Sequence, residues 1–376
     1  MKAHRWVVPK PLRGERALEL LQASAAHGHY TNDGPCVRAT EAALHAHMRL
    51  SADYAVTLAA SGTAALHTLV AAHGMARGAH LRVVTQASTF PCAVQGACAG
   101  ALVVDNDDEL RGPCIAALER HVHDFDAVLV TNFFGSVAAL DVYARWCASH
   151  SKVLLCDAAA TPMTFLPGGR NACEWGDGSI ISCHETKPLG RGEGGAIIMR
   201  RDCAAFPYLR RALNFGFVAP AREWHALASN WRMSDIAAAF FAARLEALTE
   251  AVYARAHANA LAVDAALQRP DVAPYVRWAV APPLHGDGAS VFLGCIWLWT
   301  ASPVDDLEAF CAAHVVEARR YYAPLTDAAA APRAATWYRH SVNLPFLYDC
   351  DDDGETTRGV VALAAWVAAA NPCCCP

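Results

Sequence analysis

Over the first 200 residues, short runs rich in β-branched and other apolar residues alternate with segments whose apolar positions recur every three or four residues. The runs predict strands over Tyr54–Leu58, Leu81–Thr85, Ala101–Asp105, Ala127–Thr131, Lys152–Asp157, Gly178–Cys183 and Gly195–Met199. Helical patterns lie between several of them, over Gly62–His73, Pro91–Ala99 and Ala138–His150. Strands alternating with helices imply a mainly parallel, seven-stranded sheet sandwiched by helices. Sheets of this kind bind ligands at the carboxyl ends of their strands. The pattern changes beyond Ser234, where Ser234-Asp235 is a plausible cap for a long helix from Ile236 to about Ala266. A strand over Ser290–Thr300, a helix over Val304–Glu317, a Pro-punctuated loop and an Ala-rich terminal helix follow. Two domains are expected: a large α/β domain over 1–240 and a smaller α+β domain over 241–376, joined by the helix at about 236–266.

Composition narrows the class. The chain has 376 residues, 54% of them hydrophobic and 18% charged, enough to bury a large core. Its 31 Lys and Arg against 36 Asp and Glu give a net charge of −5, which argues against a nucleic-acid partner that would need a concentrated basic face. The amino terminus is basic but lacks the apolar stretch of a secretory signal. The longest apolar run, 359–370, is too short to span a bilayer, so no membrane is expected. Fifteen cysteines, odd in number and irregular in spacing, show no paired zinc pattern, so no metal site is expected. Most lie in apolar stretches, where a free thiol acts as a small hydrophobe; a reducing, cytoplasmic compartment is the expectation. The Cys373-Cys-Cys375 tail reads as a frayed end rather than an acylation or metal site.

Three segments carry candidate chemistry. Lys187 follows the strand Gly178–Cys183 in a Gly-rich stretch ending Glu193-Gly-Gly195. A lysine there can be desolvated, which frees its amine as a nucleophile; from position alone a solvated loop lysine is the commoner case. Asp157 ends the apolar strand Val153-Leu-Leu-Cys-Asp157 and precedes three alanines, as either a helix cap or a partner for a ligand cation. Ser61-Gly62-Thr63 opens a helix after the first strand, where free N–H groups suit a phosphate or serve ordinary capping. Their order matches what pyridoxal phosphate requires: an anion site, a carboxylate for the ring nitrogen, and an amine.

These segments also make the chain recognisable. It resembles the DegT/DnrJ/StrS family of pyridoxal-phosphate-dependent nucleotide-sugar aminotransferases, which have the type I aminotransferase fold. The resemblance rests on Tyr30-Thr-Asn-Asp-Gly-Pro35, Glu41, Ser61-Gly-Thr-Ala-Ala-Leu66, Ser88-Thr-Phe90, Asp157-Ala-Ala159, Gly176-Asp177, Ser182 to Gly195, Asn230-Trp-Arg-Met-Ser-Asp235, Tyr322-Ala-Pro-Leu325 and Leu344-Pro345. By that resemblance Lys187 would bond to the cofactor, Asp157 would pair with its ring nitrogen and Phe90 would stack on the ring. Gly62, Thr63 and Ser182 would hold the phosphate, and Asn230 would reach the phosphate of the neighbouring subunit in a homodimer with shared active sites. The implied activity moves an amino group, from glutamate, to a nucleotide-linked keto-sugar in a ping-pong sequence.

His184 is a candidate for the sugar pocket and equally for a packed supporting histidine; Glu193 shapes its loop. Arg191, Arg319 and Arg320 are candidates for pyrophosphate contacts, since arginine forks match phosphate oxygens. The wording His184-Glu-Thr-Lys187 is similar to the branch acting on dTDP-4-keto-6-deoxy sugars. Two departures stand out: Ala160 where many members have Gln, with Thr161 as a substitute donor, and Thr326 where a His is common. The alternatives are a catalytically silent protein on this fold that binds pyridoxal phosphate or a sugar nucleotide, and an aminotransferase for a cyclitol ketone.

Overall fold

The computed structural model describes residues 5–7, 10–217, 220, 223–348 and 354–370; the tail Cys373 to Cys375 lies outside them. Strands β1 (Tyr54–Ala59), β2 (Val83–Gln86), β3 (Leu102–Val104), β4 (Ala127–Thr131), β5 (Val153–Asp157), β6 (Gly178–Ser182) and β7 (Gly195–Arg200) form one sheet in the order β1-β7-β6-β5-β4-β2-β3. The strands from β6 through β3 run parallel, and β7 runs antiparallel between β6 and β1. β1 therefore points the same way as the parallel set, and the carboxyl ends of six strands open on one edge. The strands are almost wholly buried on both faces, which is why they read as continuous apolar runs rather than alternations.

Helices α1 (Gly14–Ala26), α2 (Pro35–His47), α3 (Gly62–Arg77), α4 (Ile115–Arg120), α5 (Leu140–Ser149) and α6 (Leu209–Leu213) accompany this sheet. Helix α3 packs on β6 and β7 with a nearly continuous buried surface from Ala64 to Met75. The expected helix over Pro91–Ala99 is instead two 3-10 turns, Pro91–Val94 and Gly96–Cys98, because Gln95 is extended and Gly96 takes a φ of 53°. The expected long helix is likewise two, α7 (Asp235–Ala247) and α8 (Glu250–Leu267). Leu248 leaves helical geometry at ψ 81° and buries its side chain, and extended Thr249 starts the second helix.

The carboxyl-terminal third holds β8 (Val276–Trp278), β9 (Cys295–Thr300), α9 (Leu307–His314), α10 (Pro332–His340), β10 (Ser341–Pro345) and α11 (Glu355–Ala370). β9 lies at the centre of a three-stranded antiparallel sheet. It is shorter than the expected Ser290–Thr300; Ser290 instead bridges Phe165, which ties the small sheet's approach loop to the segment between β5 and β6.

One buried carboxylate joins the helices that support the site. Asp235, 0% exposed at the start of α7, accepts hydrogen bonds from the Cys36 and Val37 amides of α2, both at 3.1 Å, and from the Ser24 hydroxyl of α1. It caps a second helix from a distance, satisfying two of the amides a helix start leaves open. Removing it strands two buried donors, so Asp235→Ala is expected to lower unfolding free energy by about 3 kcal/mol. Urea denaturation reads this as a lower midpoint at unchanged slope, against near-zero effect for the exposed control Glu308→Ala.

Candidate active site

The carboxyl edge of the large sheet encloses a cavity of about 460 Å³. Sheet register explains which residues meet there. Thr131 pairs with Asp157, Asp157 with Ile180, Ser182 with Gly195 and Gly195 with Ala59, so the ends of β4, β5, β6 and β1 stand side by side. Asp157, Ser182, Lys187, Phe90 and the Ser61-Gly62-Thr63 turn all line the cavity.

The turn is built for close approach. Ser61 accepts a hydrogen bond from the Ala64 amide at 3.0 Å and caps α3, leaving the first amides of the helix directed outward. A side chain at Gly62 would bring its first carbon to 2.9 Å from the Ser182 Cβ. Glycine therefore lets the helix start and the Ser182 hydroxyl share one small space, suited to a phosphate.

Lys187 sits on a loop folded tightly on itself: its amide donates to His184 O at 2.8 Å, and the Gly190 amide donates to Lys187 O at 3.0 Å. Gly190 passes so near His184 that an added Cβ would lie 1.9 Å from the His184 carbonyl oxygen. Lys10 anchors the same loop from the amino-terminal segment. Its ammonium, 1% exposed, donates to the carbonyls of Glu185, Lys187 (2.8 Å) and Gly190 (3.0 Å).

Asp157 is 3% exposed, and among the described residues its carboxylate accepts one hydrogen bond, from the Ala159 amide at 2.9 Å. Burial raises its pKa, opposed by the Ala159 amide and the Lys187 charge. Burial lowers the Lys187 amine, and Asp157 pulls in the opposite direction. The cavity thus holds a lysine more easily neutral than a free one, and a carboxylate with open acceptor capacity. His184 also lines it. Its Nδ1 accepts from the Thr186 amide at 3.1 Å, which places the proton of the neutral ring on Nε2, 3.5 Å from Glu193.

The three arginine candidates separate. Arg319 lines the cavity, stacked over Trp6 at 4.7 Å and donating to the Tyr321 hydroxyl at 3.1 Å. Arg191 lies outside it, its guanidinium held by the carbonyls of Lys10 (2.7 Å) and Pro11 (2.6 Å). Arg320 lies outside as well, bound to Ser341 O at 3.1 Å and to Val304 O. Both are held largely by backbone carbonyls, Arg191 also by the Glu185 carboxylate at 3.4 Å, and neither is brought to the cavity. Asn230 is exposed outside the cavity and accepts from Arg232 at 2.8 Å. Thr326 also lies outside the wall; Ala160 is in it. The Thr161 hydroxyl accepts from Asn132 at 3.4 Å, and Asn132 itself faces the cavity.

Several wall residues escaped the sequence reading: Trp6, Cys92, Asn132, Cys295 and Tyr321. Their signal is tertiary, because Trp6 comes from the amino-terminal segment and Cys295 and Tyr321 come from the small-sheet region. Among the described residues no cluster of His, Cys, Asp or Glu could hold a metal, and no helix is long and apolar enough to cross a membrane.

The profile of the DegT/DnrJ/EryC1/StrS aminotransferase family matches residues 11–357. GDP-perosamine synthase of Vibrio cholerae is 29% identical over 205 residues, 53% of this chain and 54% of that protein. Protein Rv3402c of Mycobacterium tuberculosis is 32% identical over 244 residues, 61% of this chain and 56% of its own. The chain spans about half the length of these relatives. In three dimensions it resembles DesI, whose crystal structure was obtained in the presence of its TDP-sugar product, with a TM-score of 0.81 at 22% identity, over 99% of this chain and 95% of that one. An aminotransferase from Brucella abortus has a TM-score of 0.76 at 20% identity over 94% and 95% of the two chains. These likenesses establish the fold.

The opposed shifts of Lys187 and Asp157 have a measurable sign. Labelling of the Lys187 amine by an acylating reagent, followed against pH by peptide mass spectrometry, is expected to have its midpoint below that of a free lysine. Asp157→Asn removes the charge that raises the amine, so the midpoint should fall further. An upward move in that variant would contradict the arrangement.

Proposed function

The chain belongs to the DegT/DnrJ/EryC1/StrS aminotransferase family, and within it we propose that the protein is a pyridoxal-phosphate-dependent enzyme moving an amino group from glutamate to the keto group of a nucleotide-linked sugar, of the dTDP-4-keto-6-deoxy class. The observation that carries the reading is the shared cavity: the Lys187 amine and the Asp157 carboxylate face it beside the Gly62–Ser182 anion cradle. Those residues fit the cofactor. The helix start and Ser182 suit its phosphate, the open acceptor capacity of Asp157 suits a protonated ring nitrogen, and Phe90, 50% exposed, offers a ring face. Pyridoxal phosphate, when bound, supplies an aldehyde that carries nitrogen and a ring that accepts electrons.

The protein's own residues then do the following. Lys187 would hold the cofactor and, as a free amine, would carry the proton from the donor's α-carbon to the cofactor's C4′, the acceptor half-reaction running the same transfer in reverse. Burial serves that role because a depressed pKa keeps Nζ neutral more of the time. Asp157 would pair with the ring nitrogen and favour its protonated form. Trp6, Tyr321 and Arg319 form the wall farther from the sheet edge, with Arg319 the cation available to an acidic donor or a phosphorylated acceptor. Asn230, exposed and outside this cavity, supports the reading of a homodimer in which it completes the partner's phosphate site. The sugar type, the donor and the cytoplasmic location belong to the same proposal. The GDP-perosamine synthase relatives and the DesI likeness favour a sugar nucleotide over a cyclitol.

Purified protein mixed with pyridoxal phosphate is expected to develop a visible absorption band that glutamate bleaches and a dTDP-4-keto-6-deoxy sugar restores. Lys187→Ala should abolish the band and lower turnover by at least about 1,000-fold, the scale for losing an acid–base and covalent group together. A band restored only by a cyclitol ketone would move the substrate assignment. A band unmoved by any amino donor would favour a silent binding protein.

A further inference from the structure

A second concavity lies across an aromatic wall from Lys187. Phe133 and Phe134, just past β4, pack on Trp297 of β9 at 4.7 and 6.2 Å, and Phe133 meets Trp337 of α10 edge-on at 6.0 Å. Phe134 faces the first cavity, whereas Trp297 and Trp337 line the second, of about 470 Å³. The second cavity shares Arg111, Arg277 and Ala279 with an adjoining one of about 400 Å³. Both fall in the size range of small-molecule sites.

Three arginines and one carboxylate line this groove. Arg333 reaches the groove's carboxylate, Asp108, at 3.5 Å, and the same carboxylate accepts the Trp337 indole N–H at 2.8 Å. Asp107, in the same turn, spends one oxygen on the amides of Glu109 and Leu110. Among the described residues no carboxylate lies within ion-pair distance of Arg111 or Arg277, and Arg277 has a single acceptor, the Trp278 carbonyl at 3.2 Å. Each guanidinium is instead laid over an indole: Arg111 over Trp337 at 5.6 Å and Arg277 over Trp299 at 5.2 Å. Trp299 is itself held by His340, stacked at 4.8 Å and 8°. Arg111 is presented by a turn in which its own φ is 63°, a left-handed conformation uncommon for a residue with a Cβ. Burial disfavours the charged form of Arg111 and Arg277 adds to that, while the carboxylates of Asp108, Asp107 and Glu109 oppose it.

Two guanidiniums that repel one another, Arg111 half-buried and Arg277 exposed, each laid over an aromatic face, make a receptor for an anion with several oxygens. Arginine forks pair with phosphate oxygens two at a time, and cation–π contacts hold the forks in place without consuming their N–H donors. We propose that Arg111 and Arg277 form a second binding site, separate from the Lys187 cavity, for the phosphate groups of a small polyphosphate-bearing metabolite of the nucleoside-diphosphate class. The site adjoins the wall that shapes the first cavity, and it does not depend on the reaction assigned there.

The test uses the full chain loaded with pyridoxal phosphate, so that the Gly62–Ser182 cradle is filled. Inorganic pyrophosphate and dTDP are titrated by calorimetry and by tryptophan fluorescence, since Trp299 and Trp337 underlie the arginines. Pyrophosphate is expected to bind and to be weakened at least about tenfold by Arg111→Gln with Arg277→Gln, and more at low salt. Arg319→Gln, on the first cavity, is expected to leave the part of pyrophosphate binding that depends on Arg111 and Arg277 unchanged. Should the double Gln variant fail to fold, Arg111→Lys with Arg277→Lys keeps both charges, loses the forks and should still weaken binding. Equal affinity for both probes supports a site that reads phosphates alone; tighter dTDP supports one that reads the base as well. No binding, binding unchanged in the double variants, or binding lost only in Arg319→Gln overturns the proposal.

Discussion

Placing Lys187 and Asp157 on one enclosed cavity is costly, because each ionised group gives up hydration that is worth several kcal/mol. Burial pushes the two in opposite directions, the carboxyl up and the amine down, and each group's charge opposes the other's shift. A pair left in that condition is stable only if the surrounding backbone cannot relax to expose it. Much of the fold answers to this constraint. Asp157 is held in the middle of a sheet between β4 and β6, where the ladder fixes its position. Lys187 has no ladder and is held by its loop.

The loop is secured by charge used on backbone. Lys10 delivers an ammonium to three carbonyls around Lys187, and Arg191 returns a guanidinium to the carbonyls of Lys10 and Pro11. Hydrogen bonds from charged donors are roughly twice as strong as neutral ones, so the reciprocal pair clamps loop and amino-terminal segment together. This accounts for the position of Arg191 outside the cavity wall, its two terminal nitrogens holding the loop and the amino-terminal segment together. Trp6, four residues before Lys10, is thereby brought to the cavity wall, where it packs at a tilt against Tyr321 and beneath Arg319.

The sheet and its chemistry were legible because both follow from local pattern. Seven apolar runs mark seven strands, and a functional residue immediately after a strand must emerge at the carboxyl edge, as Asp157, Ser182 and Lys187 do. The rest depended on contacts far apart in sequence. Helices α1 and α2 went unread in the local pattern, and they are tied to Asp235 some 200 residues away. The uniform apolar pattern across 236–266 hid a break, because Leu248 is buried whether the helix continues or turns. Arg319 and Arg320 are neighbours of one type, yet the antiparallel bridge of Arg319 with Asn343 turns the first toward the cavity and the second toward Val304 and Ser341. Sequence cannot separate such a pair; alternation along an extended segment does.

The aromatic wall accounts for how the small sheet takes part in a site built on the large one. Phe133 and Phe134 leave β4 at the cavity, and β9 brings Trp297 against both. Tyr322 then packs on Phe134 at 5.5 Å and meets Phe90 at 6.3 Å. Aromatic contacts of this kind contribute about 0.5–1.5 kcal/mol each beyond the area they bury, so the cluster joins the two sheets with a stiffness that a polar interface would lack. Stiffness matters because Tyr321, Tyr322 and Arg319 have no place on the large sheet. Their distance from Lys187 is set by how firmly the small sheet is seated. The carboxyl edge of the large sheet supplies the residues suited to hold a cofactor, and the aromatic wall determines how much room is left beside it for anything else.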